Sequence, residues 1–156
     1  MPRRAREDEV GAIHHVYNRA LGRRPMFECD EDFRFFQSLL ARAVRRGEIR
    51  GCAFCLMDTH FHVVLQIRPG TLAKTMQRIQ TQYSRYFNRR YDRDGPLMKG
   101  RFGSRRIYDP AYFEIAMRYV EENAVAAELV ELDREWPYGS ARRRRESRPP
   151  RWLTPV

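Results

Sequence analysis

Two histidines, His60 and His62, flank one phenylalanine in a segment whose β-branched and aromatic residues are typical of a strand. Side chains alternate between the two faces of a strand, so both imidazoles should project from the same face, with Cα atoms about 6.7 Å apart. Two imidazoles so placed can bind one metal ion. A His-x-His pair also arises by chance, and an exposed pair on a strand needs no function, so the pair alone leaves a metal site open.

A second group of polar residues lies far along the chain. Tyr119 and Asn123 are four residues apart in a segment with helical spacing, so their side chains should project side by side, on a face shared with Tyr112. The neighbouring stripe should pack, and consists of Phe113, Met117 and Val120. An amide oxygen here can join the two imidazoles on a metal, with the phenol within reach of the group that the metal holds. Most helical tyrosines are core or surface residues, so spacing alone assigns Tyr119 no role.

The chain is strongly basic. Its 156 residues carry 30 Lys and Arg against 20 Asp and Glu, a formal charge of +10 and a pI near 10.1, with 42% apolar residues. This length and apolar content predict one domain with its own core, and the charge predicts a polyanion as partner. No apolar run approaches the ~18 residues of a membrane span. Residues 1–10 lack the hydrophobic core of a signal peptide, so we expect a cytoplasmic protein without a membrane partner.

The three cysteines show no disulfide framework, which fits a reducing compartment. Cys52 and Cys55 form a Cys-x-x-Cys pair, but an offset of three on a strand should send their side chains to opposite faces. We therefore expect both to pack in the core and neither to take part in metal binding or redox chemistry.

The order of predicted elements indicates the fold. Strands are predicted over residues 12–19, 52–56, 61–67 and 104–108, and helices over about 30–47, 71–91 and 110 to 123–127. The order β-α-β-β-α-β-α is that of a ferredoxin-like split βαβ fold, an α+β class with an antiparallel sheet, here with an added C-terminal helix that carries Tyr119. In that topology the first strand lies beside the third, which brings His15 or His14 near the histidine pair.

The two ends of the chain differ from this domain, which we place at residues 12–140. Residues 1–11 form a charged arm. Residues 141–156 form a basic tail that begins Ala-Arg-Arg-Arg-Arg-Glu-Ser-Arg-Pro-Pro-Arg. The tail shows no periodicity and little apolar content, which predicts disorder.

Five segments together resemble one known family. In chain order they are His-Val-Tyr-Asn-Arg (15–19), Cys-Leu-Met-Asp-Thr-His-Phe-His-Val-Val-Leu (55–65), Tyr-Ser-Arg-Tyr-Phe-Asn-Arg-Arg-Tyr (83–91), Lys-Gly-Arg-Phe (99–102) and Tyr-Val-Glu-Glu-Asn-Ala-Val-Ala-Ala-Glu-Leu-Val (119–130). The chain thereby resembles the REP-associated tyrosine transposases, a branch of the single-tyrosine HUH transposases in the insertion-sequence-200-like superfamily. The His-x-His pair alone would be a weak signal, but the ordered set covers most of residues 12–140.

This resemblance implies the HUH fold and a metal-dependent single-stranded DNA endonuclease and strand transferase. Such an enzyme acts at palindromic, hairpin-forming repeats through a covalent 5′-phosphotyrosine intermediate. The resemblance further implies that His60, His62 and Asn123 bind the metal and that Tyr119 is the nucleophile. Amide, water and phosphate oxygens suit Mg²⁺ and imidazole tolerates Mn²⁺, so we expect Mg²⁺ as the cofactor, with Mn²⁺ able to substitute. The expected partner is single-stranded or hairpin DNA, bound by a monomer or homodimer.

The chain departs from the family pattern at three places. Thr59 stands where the family usually has Asn, and Met98 and Lys99 stand where an aromatic residue and a glutamine are common. Asn-Ala-Val-Ala-Ala-Glu-Leu from Asn123 replaces Asn-Pro-Val-Arg-Ala-Gly-Leu. None of these changes touches the four residues assigned to chemistry, but they bear on substrate specificity and on retained activity.

DNA contacts are expected from basic residues of the second helix and the following loop and strand, namely Arg78, Arg85, Arg89, Arg90, Lys99, Arg101, Arg105 and Arg106. Cations in the range 99–106 are also candidates to assist the loss of the tyrosine proton. Two other functions stay open: a non-catalytic nucleic-acid-binding module that keeps the fold, and a zinc hydrolase that uses His15, His60 and His62. Tyr112 is the rival nucleophile.

Overall fold

The computed structural model describes Glu9, residues 11–68 and residues 71–154. Along these residues the elements are β1 (Ile13–Arg19), α1 (Asp30–Arg45), β2 (Ile49–Leu56), β3 (His60–Ile67), α2 (Leu72–Arg90), β4 (Gly103–Ile107), α3 (Pro110–Glu121), α4 (Asn123–Ala126) and α5 (Ser140–Arg144). Through α3 this is the predicted order. Most of the predicted N-terminal arm lies outside the described residues.

The described strands form an antiparallel sheet in the order β2-β3-β1-β4. The first strand thus lies beside the third, and the predicted α+β, ferredoxin-like arrangement is confirmed. Phe61, Val63 and Leu65 of β3 face a core that includes buried residues of α1 and α2, whereas Val64 faces a second core with α3. The histidine pair has the same parity as Val64, so both imidazoles lie on the α3 face of the sheet.

α3 begins and ends at identifiable signals. The Asp109 carboxylate accepts a hydrogen bond from the Ala111 N–H (2.9 Å), and proline occupies the first helical position. The helix ends at Glu121 because Glu122 takes φ −86° and ψ 4°, and Asn123 begins the one-turn α4. Tyr119 and Asn123 therefore lie on two successive helices, contrary to the prediction of one helix through residues 123–127.

Cys52 and Cys55 are both buried free thiols, as the predicted packing role requires. They belong to the same core, beside α3, so the prediction that they face opposite sides of the sheet is wrong. The pairing of β2 with β3 shifts register between Gly51 and Ala53, and this bulge accommodates Cys52 as an extra residue. Burial raises the pKa of the Cys55 thiol to about 12, which keeps it protonated and unreactive at neutral pH.

The basic C-terminal segment packs on β2, so the prediction of a disordered tail over residues 141–156 is wrong for its described part. The Trp152 ring stacks on Phe54, with centroids 5.4 Å apart, and Leu153 is buried. Ser140, immediately before this segment, is also fully buried. A few anchoring side chains are sufficient to dock an otherwise charged segment.

Ser140→Ala should destabilise the fold measurably. The Ser140 hydroxyl accepts a hydrogen bond from the Phe54 N–H (3.0 Å) and donates one to the Glu121 carboxylate (2.6 Å), so it links the C-terminal segment to β2 and to the end of α3. Removing it leaves buried groups unsatisfied, and we expect the free energy of unfolding to fall by about 1–3 kcal/mol, measured by urea denaturation. Ser147→Ala, at an exposed position, is the control, and an equal effect of both changes would contradict this role.

Candidate active site

β1 and β3 place a third histidine beside the predicted pair. In their antiparallel register Tyr17 is opposite His62 and Arg19 is opposite His60. His15, Tyr17 and Arg19 alternate along β1 and therefore project from the face that also carries the pair. The His60 and His62 ring centroids are 5.3 Å apart, with the rings nearly perpendicular. The sheet thus brings three imidazoles to the face covered by α3.

Both nitrogens of the His60 ring have a polar neighbour. Nδ1 lies 3.1 Å from Thr59 Oγ1, and Nε2 lies 3.3 Å from Asn123 Oδ1. Asn123 is held here by α4, whose Ala124 is fully buried in the core beneath α3. The amide oxygen therefore reaches the imidazole although the helix is interrupted between Tyr119 and Asn123.

His62 is paired with His15, whose Nε2 lies 2.9 Å from His62 Nδ1. Burial, and secondarily the neighbouring His15 and His60, lowers the pKa of His62 to about 3. Burial and the charge of Arg105 lower the pKa of His15 to about 4. Both imidazoles are therefore neutral at neutral pH, and each carries a lone pair on one ring nitrogen.

α3 places the Tyr119 ring against two histidines. Its centroid is 5.8 Å from the His15 centroid and 5.8 Å from the His62 centroid, with edge-on geometry in both cases. The Tyr119 side chain is nevertheless 56% exposed, so its hydroxyl can meet a ligand from solvent. Tyr112 lies on the same face of α3 and lines the same cavity.

Two cavities flank the histidine pair. The helix-side cavity, about 390 Å³, is lined by His15, Tyr17, His62, Arg105, Tyr112, Ile115, Ala116 and Tyr119. The loop-side cavity, about 500 Å³, is lined by Tyr17, Asn18, Arg19, His60, Phe61, His62, Lys99, Gly100, Arg101 and Gly103. Each contains exposed cations, so a chain of phosphates that passes the histidines meets positive charge on both sides.

The eight basic residues predicted to contact DNA fall into groups with different surroundings. Those that line the two cavities are Lys99, Arg101 and Arg105. Those exposed along α2 are Arg85 and Arg89. Those in ion pairs within the protein are Arg78 with Glu48, Arg90 with Glu31, and Arg106 with Glu9. The cavity group is the best placed to bind phosphates near the histidines.

The sequence matches the model of a family described as "Transposase IS200 like" over residues 10–125, a span that includes the histidines, Tyr119 and Asn123. The chain belongs to the IS200-like transposase family. Membership classes it as a DNA transposase, and the resemblance stated from the motifs is confirmed.

The fold of this transposase is also that of a solved relative. A REP-associated tyrosine transposase bound to a REP hairpin matches it with a TM-score of 0.74 and 16% sequence identity, covering 92% of this chain and 84% of that one. No curated protein sequence matches significantly. None of the described helices is both long and apolar enough to span a membrane.

The sequence patterns predict no role in the site for Tyr17, Arg19 or the Thr59 hydroxyl of this transposase. A signal for the first two was present, because residues 15, 17 and 19 alternate on one strand. Placing His15 beside the pair also places Tyr17 and Arg19 there. Thr59 departs from the family pattern, but its contact with the His60 ring depends on side-chain geometry that spacing does not predict.

Proposed function

We propose that this transposase is a metal-dependent single-stranded DNA endonuclease and strand transferase. It acts at palindromic, hairpin-forming repeats through a covalent 5′-phosphotyrosine intermediate on Tyr119. The observation that supports this most is the contact of the Tyr119 ring with the His62 ring, beside the close approach of His60 Nε2 to Asn123 Oδ1. The nucleophile therefore adjoins the donor set at His62, which lines the helix-side cavity with Tyr119 and the loop-side cavity with His60.

The side chains present fit a divalent cation. Across the described ranges no three His, Cys, Asp or Glu side chains are grouped for metal binding, so the third protein ligand is expected to be of another type. Asn123 Oδ1, 3.3 Å from His60 Nε2, meets that need. Two neutral imidazoles and an amide leave a cation its full charge, and Mg²⁺ or Mn²⁺ bound here would polarise a non-bridging phosphate oxygen.

Thr59 and His15 orient the two imidazoles in this proposal. With a proton on Nδ1 of each ring, His60 donates to Thr59 Oγ1 and His62 donates to His15 Nε2. Each Nε2 then keeps its lone pair for the cation. Threonine can accept this bond at the position where the family usually has asparagine.

Tyr119 supplies the nucleophile. Its phenolic oxygen bonds to the phosphorus, the bond from phosphorus to the 3′ oxygen breaks, and that oxygen takes up a proton and leaves as a 3′ hydroxyl. The phenolic proton passes to solvent, and Arg105 in the same cavity stabilises the phenolate. Attack by a 3′ hydroxyl on the phosphotyrosine reverses the step and joins strands without ATP.

An adduct assay tests the proposal. The protein is incubated with single-stranded DNA that carries the repeats flanking its gene, with Mg²⁺, Mn²⁺ or EDTA, and the products are resolved on a denaturing gel. A metal-dependent adduct together with a fragment bearing a free 3′ hydroxyl is expected. Cleavage without an adduct, by a protein that retains Zn²⁺ after dialysis, would instead favour the zinc hydrolase alternative.

DNA binding should be strongly salt-dependent and should prefer single-stranded or hairpin forms. The charge of +10 and the cations in both cavities imply release of counterions from phosphates. On single strands the slope of log K against log salt concentration should be about −0.7 for each phosphate neutralised, measured by fluorescence anisotropy. Arg105→Gln should reduce the size of this slope by about the contribution of one phosphate. Arg90→Gln should reduce it by less, because Arg90 is already paired with Glu31. An affinity that is flat with salt would contradict this expectation.

A further inference from the structure

Tyr17 presents an exposed aromatic ring at the centre of the candidate site. Its side chain is 38% exposed, on the face of β1 that carries His15. The Tyr17 ring centroid lies 5.3 Å from that of His15 and 6.2 Å from that of His62. The proposed chemistry of Tyr119 and the histidine pair assigns this ring no part.

The position of Tyr17 between the two cavities indicates what passes over it. Tyr17 and His62 are the residues that line both the helix-side and the loop-side cavity. A DNA strand whose phosphate sits at His62 has one neighbouring nucleotide toward each cavity, and the route between the cavities crosses the Tyr17 ring. Arg105 on one side and Lys99 and Arg101 on the other can hold the flanking phosphates.

Gly103 makes room for this ring. Gly103 lies opposite Tyr17 in the pairing of β1 with β4, and a Cβ added there would be 2.4 Å from two ring carbons of Tyr17 and 2.7 Å from its hydroxyl oxygen. Gly103 is not among the glycines with positive φ, so its backbone conformation does not require glycine. What requires glycine at this position is the placement of the Tyr17 ring.

We infer that Tyr17 is a stacking platform for the unpaired base of a nucleotide next to the scissile phosphate. The inference rests on the proposed function, because it takes the histidine pair as the place of that phosphate. A tyrosine ring can stack any base, since every base has a π-face, and its polar hydroxyl tolerates solvent. The ligand class is therefore a nucleobase of single-stranded DNA, held by its face.

Photo-cross-linking tests the platform without requiring cleavage. The probe is a 20-nucleotide thymidine oligomer with 5-iododeoxyuridine substitutions, irradiated with the Tyr119→Phe protein in EDTA, and mass spectrometry locates the modified residue. We expect a cross-link at Tyr17. In Tyr17→Phe the cross-link should form at the same position, on the phenylalanine ring, and in Tyr17→Ala it should be absent from this position. Tyr108→Ala, at a tyrosine that is 71% exposed, should leave the Tyr17 cross-link in place.

Gly103→Ala provides a second variant that displaces the ring while keeping the tyrosine. It should reduce the Tyr17 cross-link, and both Gly103→Ala and Tyr17→Ala should weaken binding of the oligomer roughly tenfold. In the Tyr17→Ala background the added methyl has no ring to meet, so the double variant should bind as Tyr17→Ala does. Additive losses would show that Gly103→Ala acts through the backbone and not through the ring.

Two outcomes separate this inference from the proposed function. Cross-links elsewhere on the protein but none at Tyr17, together with a metal-dependent adduct on Tyr119 in the native protein, would overturn the platform and leave the function standing. A Tyr17 cross-link in a protein that forms no adduct would overturn the function and leave a base-binding site. If Tyr17 only supports His62, Tyr17→Ala should lower Mn²⁺ affinity while oligomer binding in EDTA stays unchanged, which also contradicts the platform.

Discussion

His62→Ala is expected to abolish formation of the covalent DNA adduct while leaving the fold and most of the DNA affinity intact, and His60→Ala should do the same. The histidine pair is proposed to hold the metal ion, whereas the basic side chains of the two cavities bind the phosphate backbone. Catalysis and DNA affinity therefore depend on different residues. Loss of the polarising cation removes several kcal/mol of transition-state stabilisation, which corresponds to a rate at least ~10³-fold lower. Single-turnover adduct formation in Mg²⁺, quantified on denaturing gels, measures the change.

The same proteins provide the controls. Melting temperature and anisotropy of a labelled single-stranded oligonucleotide should stay near the native values in both histidine variants, because both rings are only partly buried. Asn123→Ala should be milder, since water can occupy the position of a missing amide ligand. Normal cleavage by either histidine variant in Mg²⁺ would show that the metal site is misassigned.

The sheet and the histidine pair could be predicted because both follow from short-range patterns. Alternation along the strands and the order of elements were sufficient to place the first strand beside the third, which brought His15 within 2.9 Å of His62. The break in the helix after Tyr119 was not predictable in this way, because Glu122 shows no proline or glycine signal. The bulge that turns Cys52 toward the α3 face does have a marker, Gly51, but the predicted strand begins at residue 52 and leaves this glycine outside it.

Periodicity predicted the order of strands and helices through α3 correctly, whereas the composition of the C-terminal segment wrongly predicted disorder. Its docking depends on contacts between residues far apart in sequence, such as Ser140 with Phe54 and Trp152 with Phe54. Four consecutive arginines dominate the composition, and the few anchoring residues are too sparse to produce a period. Even one of these four arginines makes a long-range contact. The Arg144 guanidinium lies 3.5 Å from the Glu121 carboxylate, at the end of the helix that carries Tyr119.

Tyr119→Phe should bind DNA and metal but form no adduct, whereas Tyr112→Phe should still form one. Both tyrosines line the helix-side cavity and lie seven residues apart on one face of α3, so the face of the helix does not separate them. The Tyr119 ring lies against the His15 and His62 rings, and Asn123, the proposed amide ligand, follows it by four residues. Tyr112 lies two turns nearer the start of α3, so it is farther along the chain from Asn123 than Tyr119 is.

The change to phenylalanine keeps the ring and its packing and deletes only the phenolic oxygen, which is the proposed nucleophile in Tyr119. Tyr119 and Tyr112 are 56% and 44% exposed, so the melting temperature should hardly move in either variant. Because the covalent bond cannot form without the hydroxyl, Tyr119→Phe should lose adduct formation completely. Tyr112→Phe should still form the adduct, with at most a partial change in rate. Mass spectrometry of the native adduct should place the nucleotide on Tyr119. An adduct that survives in Tyr119→Phe, or a nucleotide located on Tyr112, would reassign the nucleophile and imply that the DNA strand approaches the histidine pair from the start of α3.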